Sequence, residues 1–269
     1  MKFSVLMCLY AGENPAFFSV CLGSIAAQTA LPDELVLVKD GPLTVELEEV
    51  IQSYHLPFYT NVVTLPENVT LGPARAEGVR AARNDWVAIM DSDDICHPDR
   101  FRKQLDMIRD RPSLGLMGGQ IAEFADDPKV ISATRVVPCG NDDIVKCAKK
   151  RNPFNSMTVM FRREMALAAG NYRYFPWFED YDLWVRMIKS GVACANSPDV
   201  LVSARVGSGM YARRRGIPYI RSEWQMQKHL KESGLINSAE FVRNSAQRIP
   251  VRLLPEKALA AVYNKYARG

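Results

Sequence analysis

Three aspartates stand within four positions at Asp91-Ser92-Asp93-Asp94, directly after the apolar run Trp86–Met90. Closely spaced carboxylates at the end of a hydrophobic strand suit a hard divalent cation, Mg²⁺ or Mn²⁺, which prefers oxygen ligands and commonly arrives with substrate phosphates attached. Two other apolar runs also end on residues that could handle a nucleotide: Phe3–Leu9 leads to Tyr10, Gly12 and Glu13, and Glu34–Lys39 leads to Asp40-Gly41. There a ring can stack on a base while a lone carboxylate accepts from a ring N–H. A fourth group, Glu179-Asp180 with Asp182, opens a helix whose Tyr181, Trp184, Val185 and Ile188 repeat at i, i+3, i+4, i+7. Each feature has a plainer alternative. Asp40-Gly41-Pro42 is also what an ordinary turn looks like, Tyr10 could be core, and the last acid of the aspartate cluster could cap the helix after Pro98. Acids in a first helical turn complement the dipole by about 0.3–1 kcal/mol each without doing chemistry. Joint placement at strand ends raises the functional reading, because ligands of open parallel sheets bind beyond the carboxyl ends of the strands.

The elements that must position these residues follow from hydrophobic period. Short Val-, Leu- and Ile-rich runs at 3–9, 34–39, 61–65 and 86–90 alternate with helical segments at 15–27, 44–54 and 72–82, the signature of parallel βαβ units. Asn14-Pro15 reads as a cap followed by proline at the first helical position, and Gly72-Pro73 is given a similar role. The second half is mixed. It predicts a helix over 98–109, an apolar stretch at 114–122, strands at 130–137 and 157–161, the helix around Trp184, short strands near Ala193 and over 200–204, and helix and polar loop from Gly216 to a last helix at 255–267.

Bulk properties bound the answer. The chain of 269 residues, with 48% hydrophobic and 24% charged residues, can bury a sizeable core and contains no low-complexity tract. No window approaches the roughly 18 uncharged apolar residues of a transmembrane helix, and the N-terminal apolar run is too short for a signal peptide. Six cysteines, at 8, 21, 96, 139, 147 and 194, show no zinc-like spacing and read as reduced thiols of a cytoplasmic protein. A net charge of +4 does not argue for nucleic acid, although basic residues dominate from Arg205 onward, with Arg213-Arg214-Arg215 as a run. A nicotinamide-dependent dehydrogenase is excluded by the lack of GxGxxG after the first strand, and the glycine- and lysine-rich phosphate loop of a nucleotidyltransferase is missing as well.

Five blocks in order carry a resemblance: Ser4 to Glu13, Val38-Lys39-Asp40-Gly41, Leu71 to Gly78, Asp91-Ser92-Asp93-Asp94 and Phe178 to Trp184. Together, over residues 3 to about 205, they resemble glycosyltransferase family 2, an α/β family with the GT-A fold, and within it the bacterial enzymes of O-antigen and capsular polysaccharide synthesis. The resemblance implies a mostly parallel central sheet flanked by helices and a helical C-terminal segment. It implies a GT-A catalytic domain at 1–210, with a nucleotide-binding half at 1–97 and an acceptor-binding half at 98–210, followed by a basic segment at 211–269. Tyr10 and Glu13 would border the nucleotide, Asp40 would read the base, Arg75 would lie near the diphosphate, and Asp91, Ser92 and Asp93 would form the Asp-x-Asp site, with Asp91 and Asp93 toward Mn²⁺ or Mg²⁺. Asp180 would be the general base of an inverting transfer from a nucleotide-sugar, foremost a UDP-hexose. Asp94, Glu179, Asn155 and Arg205 would support the site or meet the acceptor, Asn155 standing where many relatives carry His, and Ser208 with Arg205 could touch phosphate. Asp182 is a surface acid or a wall of the acceptor pocket, and His55, His97 and His229 are incidental. The implied acceptor is a glycan, usually a sugar on a polyprenyl diphosphate, so peripheral contact with the inner face of the cell membrane is expected through 211–269, with the run from Gln247 to Pro255 and the tyrosines and basic residues after it. A non-catalytic sugar-binding relative is the alternative.

Overall fold

The computed structural model describes residues 1–207 and 214–254. Ser208, Gly209, Met210 and Arg213, and the helix expected at 255–267 with Lys257, Tyr263, Lys265, Tyr266 and the neighbouring Arg268, lie outside the described residues.

The first half forms as the hydrophobic period requires. Strands β1 (Phe3–Leu9), β2 (Glu34–Lys39), β3 (Tyr59–Thr64) and β4 (Trp86–Ile89) alternate with helices α1 (Pro15–Ala26), α2 (Val45–Ser53) and α3 (Leu71–Ala81). Along β1 the side chains alternate between two dry layers. Phe3, Val5, Met7 and Leu9 join Phe18, Leu22 and Ile25 of α1 on one face, while Leu6 meets Ala74 and Val79 of α3 on the other. A strand covered by helices on both faces reads as a continuous apolar run, which is why these segments were legible. Asn14 caps α1 by accepting from the N–H of Ala16 at 2.9 Å, with Pro15 at the first helical position, and Thr44 caps α2. For α3 the expectation fails in detail: the helix starts at Leu71, and Gly72 serves a close approach rather than a cap, because a Cβ there would collide with the carbonyl of Arg173.

After β4 come β5 (Ile95–Cys96), α4 (Arg100–Asp110), β6 (Leu114–Phe124), β7 (Ile131–Arg135), α5 (Asn141–Ala148), β8 (Met160–Arg162), α6 (Arg163–Ala168), α7 (Glu179–Lys189) and β9 (Ala193–Arg205). All nine strands share one sheet in the order β3-β2-β1-β4-β8-β6-β9-β5, with β7 hairpinned onto β6. The sheet is parallel through β3-β2-β1-β4 and in the β6-β9 pair, whereas β8 runs antiparallel to β4 and β6. One continuous sheet therefore runs on both sides of 97/98, β4 meeting β8 and β5 returning to β9.

Four local expectations are corrected. The two short strands near Ala193 and Val200 are one strand, kept in register with β6 by irregularities around Gly118 and Gln120. The strand expected at 157–161 splits into a 3-10 turn at Ser156–Thr158 and a β8 of three residues. The short elements β5, α5 and α6 have no long periodic pattern and escaped the sequence reading. At the C-terminal end, α8 (Gly216–Glu232) and α9 (Ser238–Arg248) pack on the body, with Tyr219, Met226 and Leu230 in one cluster with Phe178 and with Tyr181 and Val185 of α7. Arg248 and Arg252, expected to face an anionic surface, turn inward onto the fully buried Glu223 at 2.5 and 3.1 Å. Among the described residues no helix is long and apolar enough to cross a membrane, and the six cysteines are unpaired.

Candidate functional site

At the carboxyl ends of β1 and β2, Tyr10 is 44% exposed, and its ring lies against Gly12, where any side chain would overlap it. Glu13 is half-buried, and its N–H donates to the Tyr10 carbonyl at 3.1 Å, closing the turn into α1. Asp40 is buried: Oδ1 accepts from the N–H of Val69 at 2.7 Å and Oδ2 from Nδ2 of Asn68 at 3.0 Å. Burial pushes its carboxyl up, opposed by the backbone N–H groups of Val69 and Thr70. The next residue, Gly41, has φ of +85° and a place for a Cβ only 2.7 Å from the Asn68 nitrogen, so glycine is required there. The turn reading of this segment holds. Asp40-Gly41 is a turn, and its carboxylate ties down the loop before α3 while keeping lone pairs for another donor.

The loop after β4 is held from behind. Asp94, 3% exposed, accepts the backbone N–H of Arg205 at 2.8 Å, and burial, with Asp91 and Asp93 adding to it, raises its carboxyl well above the ordinary range. Arg205 in turn donates Nε to the Asp93 carbonyl at 3.3 Å and Nη1 to the Ala125 carbonyl at 3.1 Å, its guanidinium 3.7 Å from the Phe17 ring centroid and 4.6 Å from that of Phe124. Arg205 is thus a bolt through the aspartate loop, a supporting role. Asp94 does not cap α4, where Asp99 occupies the cap position. Ser92 is buried at 4% exposure, and Asp91 and Asp93 are half-buried.

Asp180 joins this group through Arg75. The guanidinium of Arg75, 3% exposed, donates Nη2 to Oδ1 of Asp91 and Nη1 to Oδ1 of Asp180, both at 2.6 Å. Tyr172 adds its hydroxyl to Oδ1 of Asp180 at 3.1 Å. Gly72 makes the convergence possible, since its bare Cα admits the Arg173 carbonyl and the Cβ of Glu179 against the start of α3. Glu179, pushed up to about 7 by burial and by its neighbour Asp180, adds a carboxyl that is partly protonated near neutrality. Tyr172 was missed by the sequence reading. It lies in the irregular stretch before α7, and no spacing singles it out.

Other expected residues stand apart. Asn155 is buried at 1% exposure, its Nδ2 donating to the carbonyls of Gly119 at 2.9 Å and Arg135 at 3.2 Å, so it ties β6 to β7. Asp182 is not a surface acid. It is fully buried and clamped by Arg173 at 2.8 and 2.5 Å, by Arg186 at 2.7 Å and by His229 at 3.4 Å, which also removes His229 from the incidental residues. His97 bonds Ser203 at 3.0 Å on the far side of the aspartate loop.

Among the described residues no group of three or more Asp, Glu, His or Cys side chains gathers as a metal cage. Asp91 and Asp93 are half-buried carboxylates of the same loop, with negative charge dense enough that Asp91 is pushed up by burial and by Asp180 despite Arg75. Such a pair fits a hard cation whose other ligands are phosphate oxygens and water.

Residues 4–170 match the family model described as glycosyl transferase family 2. The chain belongs to that family. This glycosyltransferase is 38% identical over 270 residues to the amylovoran biosynthesis glycosyltransferase AmsE of Erwinia amylovora, covering 99% of this chain and 100% of that one. It is 35% identical over 267 residues to the UDP-Gal:alpha-D-GlcNAc-diphosphoundecaprenol beta-1,3-galactosyltransferase of Escherichia coli, covering 99% and 97%. Among solved structures, S. aureus TarS 1-349 in complex with UDP-GlcNAc superposes with a TM-score of 0.70 at 16% identity, over 100% of this chain and 74% of that one. The mannosyltransferase PcManGT from Pyrobaculum calidifontis, in complex with GDP-Man and Mn2+, gives 0.65 at 16%, over 99% and 80%. The fold of this glycosyltransferase is the GT-A fold.

Proposed function

We propose that this glycosyltransferase transfers a hexose from a nucleotide-sugar, foremost a UDP-sugar, to a sugar carried on a polyprenyl diphosphate, with inversion, during synthesis of a surface polysaccharide. The observation that carries the reading is the sharing of Arg75 between Asp91 and Asp180, which sets a proton acceptor beside the aspartate loop. The relatives in Erwinia amylovora and Escherichia coli support the pathway and the acceptor class.

In this mechanism Tyr10 and Glu13 border the nucleotide and Asp40 takes a donor from the base. Asp91 and Asp93 would hold a divalent cation, Mn²⁺ or Mg²⁺, which supplies charge stabilisation to the departing diphosphate. Oδ1 of Asp180 is committed to Arg75 and Tyr172, which leaves Oδ2 to take the proton of the acceptor hydroxyl. As that proton leaves, the hydroxyl oxygen bonds to the anomeric carbon, the bond from carbon to phosphate oxygen breaks, and the nucleoside diphosphate departs from the opposite face. An α-linked donor then yields a β-linkage. Arg75, within 2.6 Å of Asp91, is placed to follow charge onto the leaving group.

Residues 1–210 form the catalytic unit in this reading, and 211–269 face the lipid of the acceptor at the inner side of the cell membrane. Support comes from α8, which leaves Ile217, Arg221, Trp224 and Lys231 exposed in an apolar and basic stripe. The decisive assay incubates the purified protein with UDP-, GDP- and dTDP-sugars, Mn²⁺ and a synthetic GlcNAc-diphosphate-lipid, following nucleotide release and product mass. Absence of turnover with every donor sinks the proposal.

A further inference from the structure

On the side of α7 away from Arg75 lies a cavity of about 470 Å³, walled among others by Arg173, Tyr174, Phe175, Lys228, His229 and Glu232. Asp180 and Asp182 sit in the same first turn of α7, two positions apart, and so point about 200° apart around the helix axis. Asp180 faces Arg75, whereas Asp182 faces this cavity through Arg173 and His229. Consecutive residues span the two sides, Tyr172 bonding Asp180 and Arg173 bonding Asp182.

The cavity wall carries surplus positive charge. Arg173 is pre-positioned, since Nε and Nη2 are fixed on Asp182 while Nη1 makes no hydrogen bond among the described residues, and its side chain is 48% exposed. Asp182 is already matched by Arg186 at 2.7 Å, so the charge of Arg173 is surplus. Lys228, 63% exposed, adds a second cation, ion-paired at 3.5 Å with Glu232 of the same wall. Tyr174, 66% exposed, and Phe175 give the same cavity an apolar wall. Cationic donors beside an apolar wall, across the first turn of α7 from the proton acceptor, match a phosphate group flanked by a sugar on one side and a hydrocarbon on the other.

Resting on the acceptor class proposed above, we propose that the cavity between the 173–176 segment and α8 is the subsite for the acceptor's diphosphate, with Arg173 and Lys228 as its cationic contacts.

The test compares two acceptors on the full chain: a GlcNAc-diphosphate-lipid and the same sugar on an uncharged lipid. Lys228→Glu lowers the preference for the diphosphate acceptor, read as the ratio of kcat/KM values, roughly ten-fold through a higher KM. Lys129→Glu, on the exposed turn between β6 and β7, is the charge-matched control and leaves the ratio alone. An equal effect of Lys228→Glu on both acceptors overturns the subsite. If no donor is turned over, the function fails rather than the subsite, which is then read by calorimetric titration of inorganic pyrophosphate in EDTA. Binding to the wild type that is lost in Lys228→Glu supports it, and binding that is absent or unchanged overturns it. Loss of binding to phosphatidylglycerol vesicles in Lys228→Glu, with the acceptor ratio intact, assigns the cations to a bilayer headgroup and also overturns it.

Discussion

Nη1 of Arg75 lies 2.6 Å from Oδ1 of Asp180, a contact between residues 105 positions apart that joins the start of α3 to the start of α7. The same guanidinium holds Asp91, so one buried cation fixes the spacing between the aspartate loop and the proton acceptor.

Asp180→Asn keeps an oxygen for Arg75 and Tyr172 but removes the proton acceptor. Transfer is expected to fall by about 10²–10⁴-fold in kcat, the usual range for losing a general base, and the melting temperature falls as well because buried Arg75 keeps only Asp91 as counter-ion. Retention of wild-type kcat would remove Asp180 from the mechanism.

Tyr172→Phe deletes the 3.1 Å hydrogen bond to Asp180 and keeps the ring packed edge-on against Trp184 and Phe161. The stability loss is expected to be about 0.5–1.5 kcal/mol, that of one hydrogen bond. If Tyr172 orients Asp180, kcat drops several-fold with donor KM unmoved. A purely structural role would change the denaturation midpoint alone.

Asp93→Asn tests the cation. Turnover in the wild type should require Mn²⁺ or Mg²⁺ and vanish in EDTA, and the variant should need a markedly higher metal concentration for half-maximal rate. Full activity of the wild type in EDTA would refute metal dependence.

Glu179 gives stability a pH signature. Its carboxyl is raised from 4.5 to about 7, so the native state binds the extra proton, and the contribution is complete below about 4.5 and declines as pH rises toward 7. The loss amounts to at most about 3 kcal/mol. Glu179→Gln should therefore gain stability relative to the wild type at pH 8 compared with pH 5, measured by urea denaturation. An identical difference at both values would refute the assignment.

Glu223 has the opposite sign. Burial alone would raise its carboxyl, but Arg248 and Arg252 overcome that and hold it below the usual range, so its contribution exists above about pH 4.5 and fades under acid. Glu223→Gln leaves two inward-facing arginines short of their counter-ion and should cost about 3–5 kcal/mol. A smaller change than 1 kcal/mol would mean that the C-terminal helices are held by apolar packing on α7.

Much of the donor half was legible because its signals are local. Strands covered on both faces must be apolar throughout, and Asn14-Pro15 announces its helix by capping chemistry within three residues. Short elements such as β5 and α6 carry too few residues to show a period, and they form because longer neighbours offer them a sheet edge or an apolar bed.

By itself, the sequence determined the βαβ layout, the aspartates at strand ends and the acidic start of α7, since all three are written in spacings shorter than a helix. Tertiary structure decided the pairing of charges. It gave Asp180 to Arg75 and Tyr172, buried Asp182 under Arg173, Arg186 and His229, and turned Arg248 and Arg252 from a prospective surface onto Glu223. A buried charge must find an opposite partner, and which partner is within reach depends on how distant segments pack.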